Sequence, residues 1–241
     1  MLDDDGEVVT DAEVRANMFN SYFATVFVKD NGLQPKWVFP ISTEEVTDVE
    51  FSPQQVYAHL SSLPSKTSSG PDGFPAIFLK RLSLVLAQPL AIIYQLSFAT
   101  SKLPFDWLGA NIVPVYKKKG NPNLCSLYRP ISLTPYFCKN QESMIYVPLL
   151  EHLKPYLHAG QHGFLKGWST VTQLLECLRD WTSAIDSSKF VDVLYVDISK
   201  AFDSVSHPKL IAKLDRYGVR GHLLLWIKAF QADRRQRVVV D

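Results

Sequence analysis

The stretch from Val191 to Asp203 constrains the fold of this chain more than any other. Its first half is rich in β-branched and aromatic residues, which predicts a strand, and its apolar side chains on both alternating faces predict that the strand is covered on both sides. Asp197 follows where this strand is expected to end. Because an unpaired buried carboxylate is costly, Asp197 is expected at an opening, held by a cation or by backbone N–H donors. The alternative is a strand-to-helix junction in which Asp197 caps the helix.

Composition and charge indicate a folded protein with one basic portion. A chain of 241 residues, 46% of them hydrophobic, is long enough for one large or two small domains. Residues 1–60 hold 11 acidic and 3 basic side chains, whereas residues 61–241 hold 13 acidic and 22 basic ones. The second part is therefore the expected nucleic-acid surface.

Cysteine spacing and the N-terminal sequence bear on the cellular setting. The 3 cysteines have neither the spacing of a zinc site nor that of a disulfide framework, which favours a reducing, intracellular setting. The acidic N-terminal sequence is unlike a signal peptide, and no apolar run approaches the ~20 residues of a membrane span. We therefore expect no membrane segment.

Helical spacing of apolar residues predicts several amphipathic helices. The first runs from Asp11 to Phe27 and has an aromatic stripe expected in the core. A second begins at Ser52, which forms a capping box with Gln55. A third begins near Ala76 and is expected to kink or split at Pro89.

The best-patterned helix lies in the second half of the chain. Thr170 and Gln173 are expected to form its capping box. Its apolar face is expected in the core and consists of Val171, Leu174, Leu175, Leu178, Trp181 and Ile185. Further helices are expected to start near Ser206 and at Gly221.

Two short segments predict a cationic β-hairpin. Residues 111–116 and 128–133 read as strands joined by a polar turn, and Pro114 predicts an edge position for the first of them. Lys117 follows the first strand and Arg129 lies in the second, a geometry suited to gripping a triphosphate. The alternative is a solvated charge cluster that protects an edge hairpin from aggregation. A similar basic turn, Arg234 to Arg237, is expected before a strand over residues 238–240.

The run Asp197-Ile198-Ser199-Lys200-Ala201-Phe202-Asp203 resembles motif A of reverse transcriptases from non-LTR retrotransposons, the LINE-type elements of the jockey and chicken-repeat clades. Their typical form is Asp-Phe-Ser-Lys-Ala-Phe-Asp, and only Ile198 departs from it. The resemblance implies Asp197 as a ligand of both Mg²⁺ ions and the Ile198 carbonyl as a second contact. It implies Phe202 as the gate against a ribose 2′-hydroxyl.

Other segments are similar to the finger motifs of the same family. Val-Tyr-Lys-Lys at residues 115–118 and Tyr-Arg-Pro-Ile-Ser-Leu at residues 128–133 imply that Lys117 and Arg129 contact the phosphates of the incoming nucleotide. Ser-Ser-Gly-Pro-Asp-Gly at residues 68–73 is similar to the segment that precedes the fingers. The expected contacts to template or primer backbone are Lys118, Lys166, Arg234 and Arg235.

The chain also departs from the family pattern at identifiable positions. Trp168 stands where the family's Gln-x-Gly-Phe-x-Lys-Gly-Arg-Ser-Thr segment has its arginine, which puts one nucleic-acid contact in doubt. Asn140 and Gln141 stand where an aliphatic pair is usual, at positions expected to face the core. These substitutions are typical of a decayed copy.

The resemblance implies an α/β (α+β) fold, a truncated right-hand polymerase with an N-terminal helical extension. We expect the extension and linker over residues 1–64, the fingers and connecting helices over 65–180, and a partial palm over 181–241. The expected function is that of an RNA-directed DNA polymerase using Mg²⁺, an RNA template, a DNA primer and deoxynucleoside triphosphates. The family's downstream Tyr-x-Asp-Asp box does not occur in these residues, so this chain alone is not expected to polymerise DNA.

Two other function classes stay open, and the oligomeric state is undetermined. One is a non-catalytic RNA- or DNA-binding module that uses the basic surface of residues 61–241. The other is a protein-interaction remnant in which the aromatic helix from Asp11 to Phe27 docks elsewhere.

Overall fold

A computed structural model describes residues 1, 8–25, 27, 30–33 and 41–240. Most of the segment from Asn31 to Pro40, expected from its proline and glycine content to be a linker, lies outside the described residues, as does Val26 in the first predicted helix. By contact, the chain divides into a first unit, residues 1–150 with 200–241, and a second unit, residues 151–199. The expected functional boundaries after residues 64 and 180 concern family modules and stay a prediction.

The described residues form helices and a small sheet, as the α/β expectation required. The helices are α1 Ala12–Ala24, α2 Pro53–Ser61, α3 Ala76–Arg81, α4 Ser83–Thr100, α5 Tyr136–Leu153, α6 Thr170–Asp186, α7 His207–Arg216 and α8 Gly221–Gln231. The strands are β1 Gly109–Tyr116, β2 Tyr128–Leu133 and β3 Arg235–Val238.

The sheet contains the predicted hairpin, with a third strand added. Its order is β2-β1-β3, with β1 antiparallel to β2 and parallel to β3. The prediction that Pro114 marks an edge strand was wrong, because β1 is central. The register gives the reason: β3 pairs only with Gly109 through Ile112, so Pro114 has one neighbouring strand, where it lies opposite Pro130. Lys117 and Leu127 form a hydrogen-bonded pair, so by alternation along the register Pro114 and Pro130 form a non-hydrogen-bonded pair. Neither proline therefore removes a hydrogen bond between β1 and β2.

Helix α1 covers one face of this sheet. Its N-cap is Asp11, whose carboxylate accepts a hydrogen bond of 2.8 Å from the Val14 backbone N–H. Phe19 and Phe23 are buried in one cluster with Ile112 of β1. The Phe19 ring lies edge-on to Tyr128 of β2 at 4.8 Å between centroids. Phe19 and Phe23 of the aromatic stripe are therefore core, as predicted, and they pack on the chain's own sheet. Phe27 lies beyond the end of α1 and is 57% exposed, so the predicted helix and its core stripe extended too far.

A helical layer forms the rest of the first unit's core. The predicted capping box of Ser52 and Gln55 is present at the start of α2. Helix α4 contacts α2, α3 and α8 and buries Tyr94 and Phe98. The prediction that Pro89 splits this region was wrong in position: the helix breaks at Leu82, whose backbone leaves helical geometry, and α4 continues through Pro89.

Helix α4 is also the one helix in the described part of the chain that is long and apolar enough to cross a membrane by length and composition. The expectation that no apolar run approaches the length of a membrane span was therefore wrong for Ser83–Thr100. One side of this helix, including Tyr94, Ser97 and Phe98, is buried against the rest of the first unit, whereas Leu84 and Val85 are exposed.

The second unit differs from expectation in two ways. Helix α6 forms, but its capping box is Ser169 with Thr172, one residue earlier than predicted. Its apolar face is not core: none of its residues is buried, and Leu175 is 60% exposed. The pattern correctly gave an amphipathic helix, but amphipathicity alone does not supply the element that covers it.

The strand expected over residues 191–196 is absent from the structure, which corrects the central local prediction. These residues belong to no helix or strand and are exposed. A strand is defined by a neighbour that pairs its N–H and C=O groups, and no described strand pairs with this segment. The basic turn before residues 238–240 was also misplaced, since Arg235 and Arg237 lie within β3.

Candidate nucleotide and nucleic-acid interface

The hairpin brings Lys117 and Arg129 to one face. Arg129 lies opposite Val115 in the register, so their side chains share a face of the sheet. The Lys117 backbone N–H donates to the Leu127 carbonyl at 2.8 Å, which continues the ladder by one residue. Lys117 therefore follows Val115 on the same face by the two-residue period of a strand. Ile112 and Tyr128 point to the opposite face, which α1 covers.

Contacts within the hairpin hold the Lys117 side chain in place and leave the Arg129 side chain exposed. The Lys117 ammonium donates to the Ser126 carbonyl at 2.8 Å, which holds its stem across the turn. Arg129 is exposed, and no ion pair to either residue is found among the described residues. Lys118 lies in the turn in the left-handed backbone region, with φ at 55°. Lys117 and Arg129 therefore lie on one uncovered face, with the exposed Lys118 at the adjoining turn.

The loop at residues 68–73 packs against the end of β2. A Cβ added at Gly70 would lie 2.7 Å from the Pro135 nitrogen and 2.8 Å from the Thr134 carbonyl, so only glycine fits there. The loop that sequence reasoning considered as a phosphate acceptor thus has a packing role beside the hairpin.

Arg234 and Arg235 lie at the start of β3 and have different surroundings. Arg234 is half-buried; it donates to the Trp107 carbonyl at 3.0 Å and lies 4.6 Å from the Phe230 ring centroid. Arg235 is exposed and lies 3.6 Å from the Phe105 ring centroid. These contacts hold the Arg234 side chain against the protein, and its contact with nucleic acid stays a prediction. Arg235 has the exposure that a phosphate contact requires, and the contact itself stays a prediction.

The motif A residues are divided between the two units of the chain. Asp197 and Ile198 are exposed in the second unit, and Phe202 lies in a turn of the first unit, 78% exposed. The structure brings Lys117, Lys118 and Arg129 together.

A two-metal centre requires several carboxylates around the ions. The family normally uses divalent metal ions. In the described part of the chain, no group of three or more histidine, cysteine, aspartate or glutamate side chains could hold a metal ion. Asp197 alone does not meet that requirement, so the described residues do not form a complete metal centre.

Lys166 lies in an exposed loop whose anchoring sequence reasoning missed. His162 is buried; its Nδ1 lies 2.9 Å from the Thr172 hydroxyl and its Nε2 lies 2.7 Å from the Glu176 carboxylate. Trp168 packs edge-on against His162, at 4.5 Å between ring centroids. The spacing of His162, Thr172 and Glu176 becomes a signal only once α6 is known to start at Thr170.

Sequence reasoning also missed a partly buried pair of a thiol and a carboxylate in α5. The Cys138 thiol lies 3.5 Å from the Glu142 carboxylate. Burial raises the pKa of Glu142 above its ordinary value, although the Cys138 thiol and the Arg234 charge act in the opposite direction. Burial, with the Glu142 charge, raises the pKa of Cys138 to about 12. The thiol is therefore inert as a nucleophile at neutral pH.

Residues 116–239, slightly more than half of the chain, match the family model described as reverse transcriptase (RNA-dependent DNA polymerase). The chain belongs to the reverse transcriptase family. The match includes Lys117, Arg129 and Asp197, and it agrees with the resemblance of the motifs to jockey-like non-LTR elements.

Similar proteins come from Drosophila melanogaster mobile elements. The chain is 28% identical over 260 residues to a probable RNA-directed DNA polymerase from transposon BS, which covers 98% of this chain and 27% of that protein. It is 28% identical over 190 residues to the RNA-directed DNA polymerase from mobile element jockey, covering 78% of this chain and 21% of that protein. The chain thus spans about a quarter of the length of these reverse transcriptase relatives.

Proposed function

We propose that this chain acts as the fingers and motif A portion of an RNA-directed DNA polymerase, with Lys117 and Arg129 binding the triphosphate of the incoming nucleotide. The observation that carries the proposal is their position on one uncovered face of the hairpin, within the residues that match the reverse transcriptase family. The Lys117 ammonium offers N–H donors to phosphate oxygens, and Arg129 offers a planar donor fork suited to them. Helix α1 supports the hairpin from behind through Phe19 and Phe23.

The Asp197 carboxylate has a separate role in this proposal. It is one ligand toward the Mg²⁺ ions that polymerases of this family use, and it needs further carboxylates to complete their coordination. Template RNA, primer DNA and deoxynucleoside triphosphates are the proposed partners, with Lys118, Lys166 and Arg235 as the proposed backbone contacts. These roles rest on motif positions and exposure.

Nucleotide titration tests the triphosphate site directly. Isothermal titration of the 241-residue chain with dTTP, dTMP and thymidine should give affinities that rise with the number of phosphates. Lys117→Ala or Arg129→Ala should weaken dTTP binding by about 3- to 5-fold each, the upper part of the range for exposed ion pairs. Lys102→Ala removes an exposed cation away from the hairpin and is the matched control. Equal affinities for dTTP and thymidine would refute the site.

A primer-extension assay tests the expectation that this chain alone does not polymerise DNA. With an RNA template, a DNA primer and Mg²⁺, the chain alone should give no extension, because two-metal catalysis needs a cluster of carboxylates and the described residues contain no group of three or more potential metal ligands. Templated synthesis that is abolished by Asp197→Asn would show that the chain is a complete polymerase and that this expectation is wrong.

A further inference from the structure

The loop between His162 and Ser169 carries a solvent-facing aromatic residue beside a cation. Trp168 is 46% exposed and Lys166 is exposed two residues before it. The family pattern has an arginine where this chain has Trp168, so the indole replaces a charge by a π-surface. Gly167 between them has φ at 87°, a left-handed conformation that glycine adopts without strain.

The loop is held at both ends, so the Trp168 side chain loses little conformational entropy when it binds a partner. His162 at its start is tied to Thr172 and Glu176 of α6. Ser169 at its end exchanges capping hydrogen bonds with Thr172. Trp168 packs edge-on against the buried His162 ring, which supports one part of the indole while nearly half of its surface stays open. A side chain positioned in advance costs less entropy on binding.

The charge around the loop favours an anionic partner. The residues from His152 to Leu175 contain two lysines, Lys154 and Lys166, and no acidic residue. The nearest carboxylate along α6, Glu176, is engaged by His162 at 2.7 Å and lies 3.7 Å from Arg179. Repulsion of a phosphate group by Glu176 is therefore weakened.

We propose that this loop binds single-stranded nucleic acid, with a base stacked on Trp168 and the adjacent phosphate contacted by Lys166. Aromatic stacking beside a cation is the usual chemistry of single-strand binding and tolerates any base. The inference rests on the proposed polymerase function, to which it adds a residue and a mode of contact. The substitution of Trp168 for arginine thus exchanges a salt-sensitive contact for a stacking one.

Fluorescence anisotropy with a labelled oligouridylate tests the proposal on the intact 241-residue chain. Trp168→Ala should weaken binding by about 5- to 150-fold, the range for loss of one stacked base. Trp168→Phe should retain most of the affinity. Tyr57→Ala is the matched control, because Tyr57 is 44% exposed on α2 in the first unit, and it should bind as the wild type does.

Two further readouts separate stacking from a structural effect. The wild type should prefer a strand with bases over an abasic strand of equal length, and Trp168→Ala should lose that preference. Lys166→Gln should reduce the salt dependence of log affinity by about 0.7, the value for one phosphate contact on a single strand, while Trp168→Phe leaves it unchanged. Far-UV circular dichroism confirms that each variant keeps its helices.

The proposal is overturned if Trp168→Ala binds as tightly as Tyr57→Ala, if the wild type binds abasic strands equally well, or if it binds no single strand. The triphosphate titration of Lys117 and Arg129 is independent of these results. A failed stacking test with an intact titration refutes only the Trp168 site, whereas the reverse pattern refutes the triphosphate site.

Discussion

The buried amide of Asn140 offers a sharp test of the first unit's packing. Asn140 is 1% exposed in α5, and neither its amide nitrogen nor its amide oxygen has a hydrogen-bond partner among the described residues. Leucine branches at the same carbon and places two methyl groups where the amide atoms lie. Asn140→Leu therefore removes two unsatisfied polar atoms and restores the aliphatic residue usual in the family.

The expected gain follows from three physical contributions. An unsatisfied buried amide costs about 1–3 kcal/mol, and burying the leucine methyl groups adds about 1 kcal/mol. Helix propensity adds up to about 0.5 kcal/mol. Against these, overpacking costs about 1–3 kcal/mol if α5 does not shift. With the overpacking cost deducted, we expect the free energy of unfolding to rise by about 1 kcal/mol.

Urea unfolding followed by tryptophan fluorescence and circular dichroism measures this change. Trp107 and Trp226 are buried in the same unit and report its unfolding. Gln141→Leu is the matched control: its amide nitrogen donates to the Tyr94 carbonyl at 3.0 Å, so the gain from removing its one unsatisfied oxygen is offset by loss of that bond. An Asn140→Leu midpoint at or below that of the wild type, with unchanged urea dependence, would refute the reasoning.

Three other perturbations have defined outcomes. Phe19→Ala should lower the free energy of unfolding by about 3–4 kcal/mol, because the ring is 1% exposed against the sheet, and a loss below 1 kcal/mol in urea would contradict the packing of α1. The pKa of Glu142 is raised in the folded chain, so its contribution to stability is present below its unfolded pKa and is lost as pH rises through the folded pKa. Glu142→Gln should remove that loss of stability, measured by urea unfolding at a series of pH values. An unchanged dependence of stability on pH in the variant would contradict this prediction. Leu175→Lys should change stability by no more than about 0.5 kcal/mol and reduce binding of an apolar dye, because the side chain is exposed; unfolding at markedly lower urea would show that α6 is buried.

Local signals in the sequence were reliable where the interaction itself is local. The capping box of Ser52 and Gln55 and the hairpin from Lys117 to Arg129 follow from residues close along the chain, and the structure confirms both. The sequence has no comparable local signal for the break between α3 and α4 at Leu82. The proline that was expected to break the helix, Pro89, lies inside α4.

Predictions that depend on a distant partner were less secure. The alternation of residues 191–196 specifies a segment able to pair, but a strand also needs a neighbour, and the described residues provide none. The apolar face of α6 likewise needs a covering element. The parallel pairing of β3 with β1 joins residues about 126 apart, a contact that no local pattern encodes. The placement of Lys117 and Arg129 on one hairpin was predictable because the hairpin that joins them is short.

A double-mutant cycle on Lys117 and Arg129 tests the central claim most directly. Titrating dTTP into the wild type, the two single alanine variants and the double variant measures whether the two cations act on the same triphosphate. The account predicts that each single change weakens binding and that the effect of either change is smaller in the background of the other, with thymidine binding unaffected throughout. Unaltered dTTP binding in the double variant would contradict it.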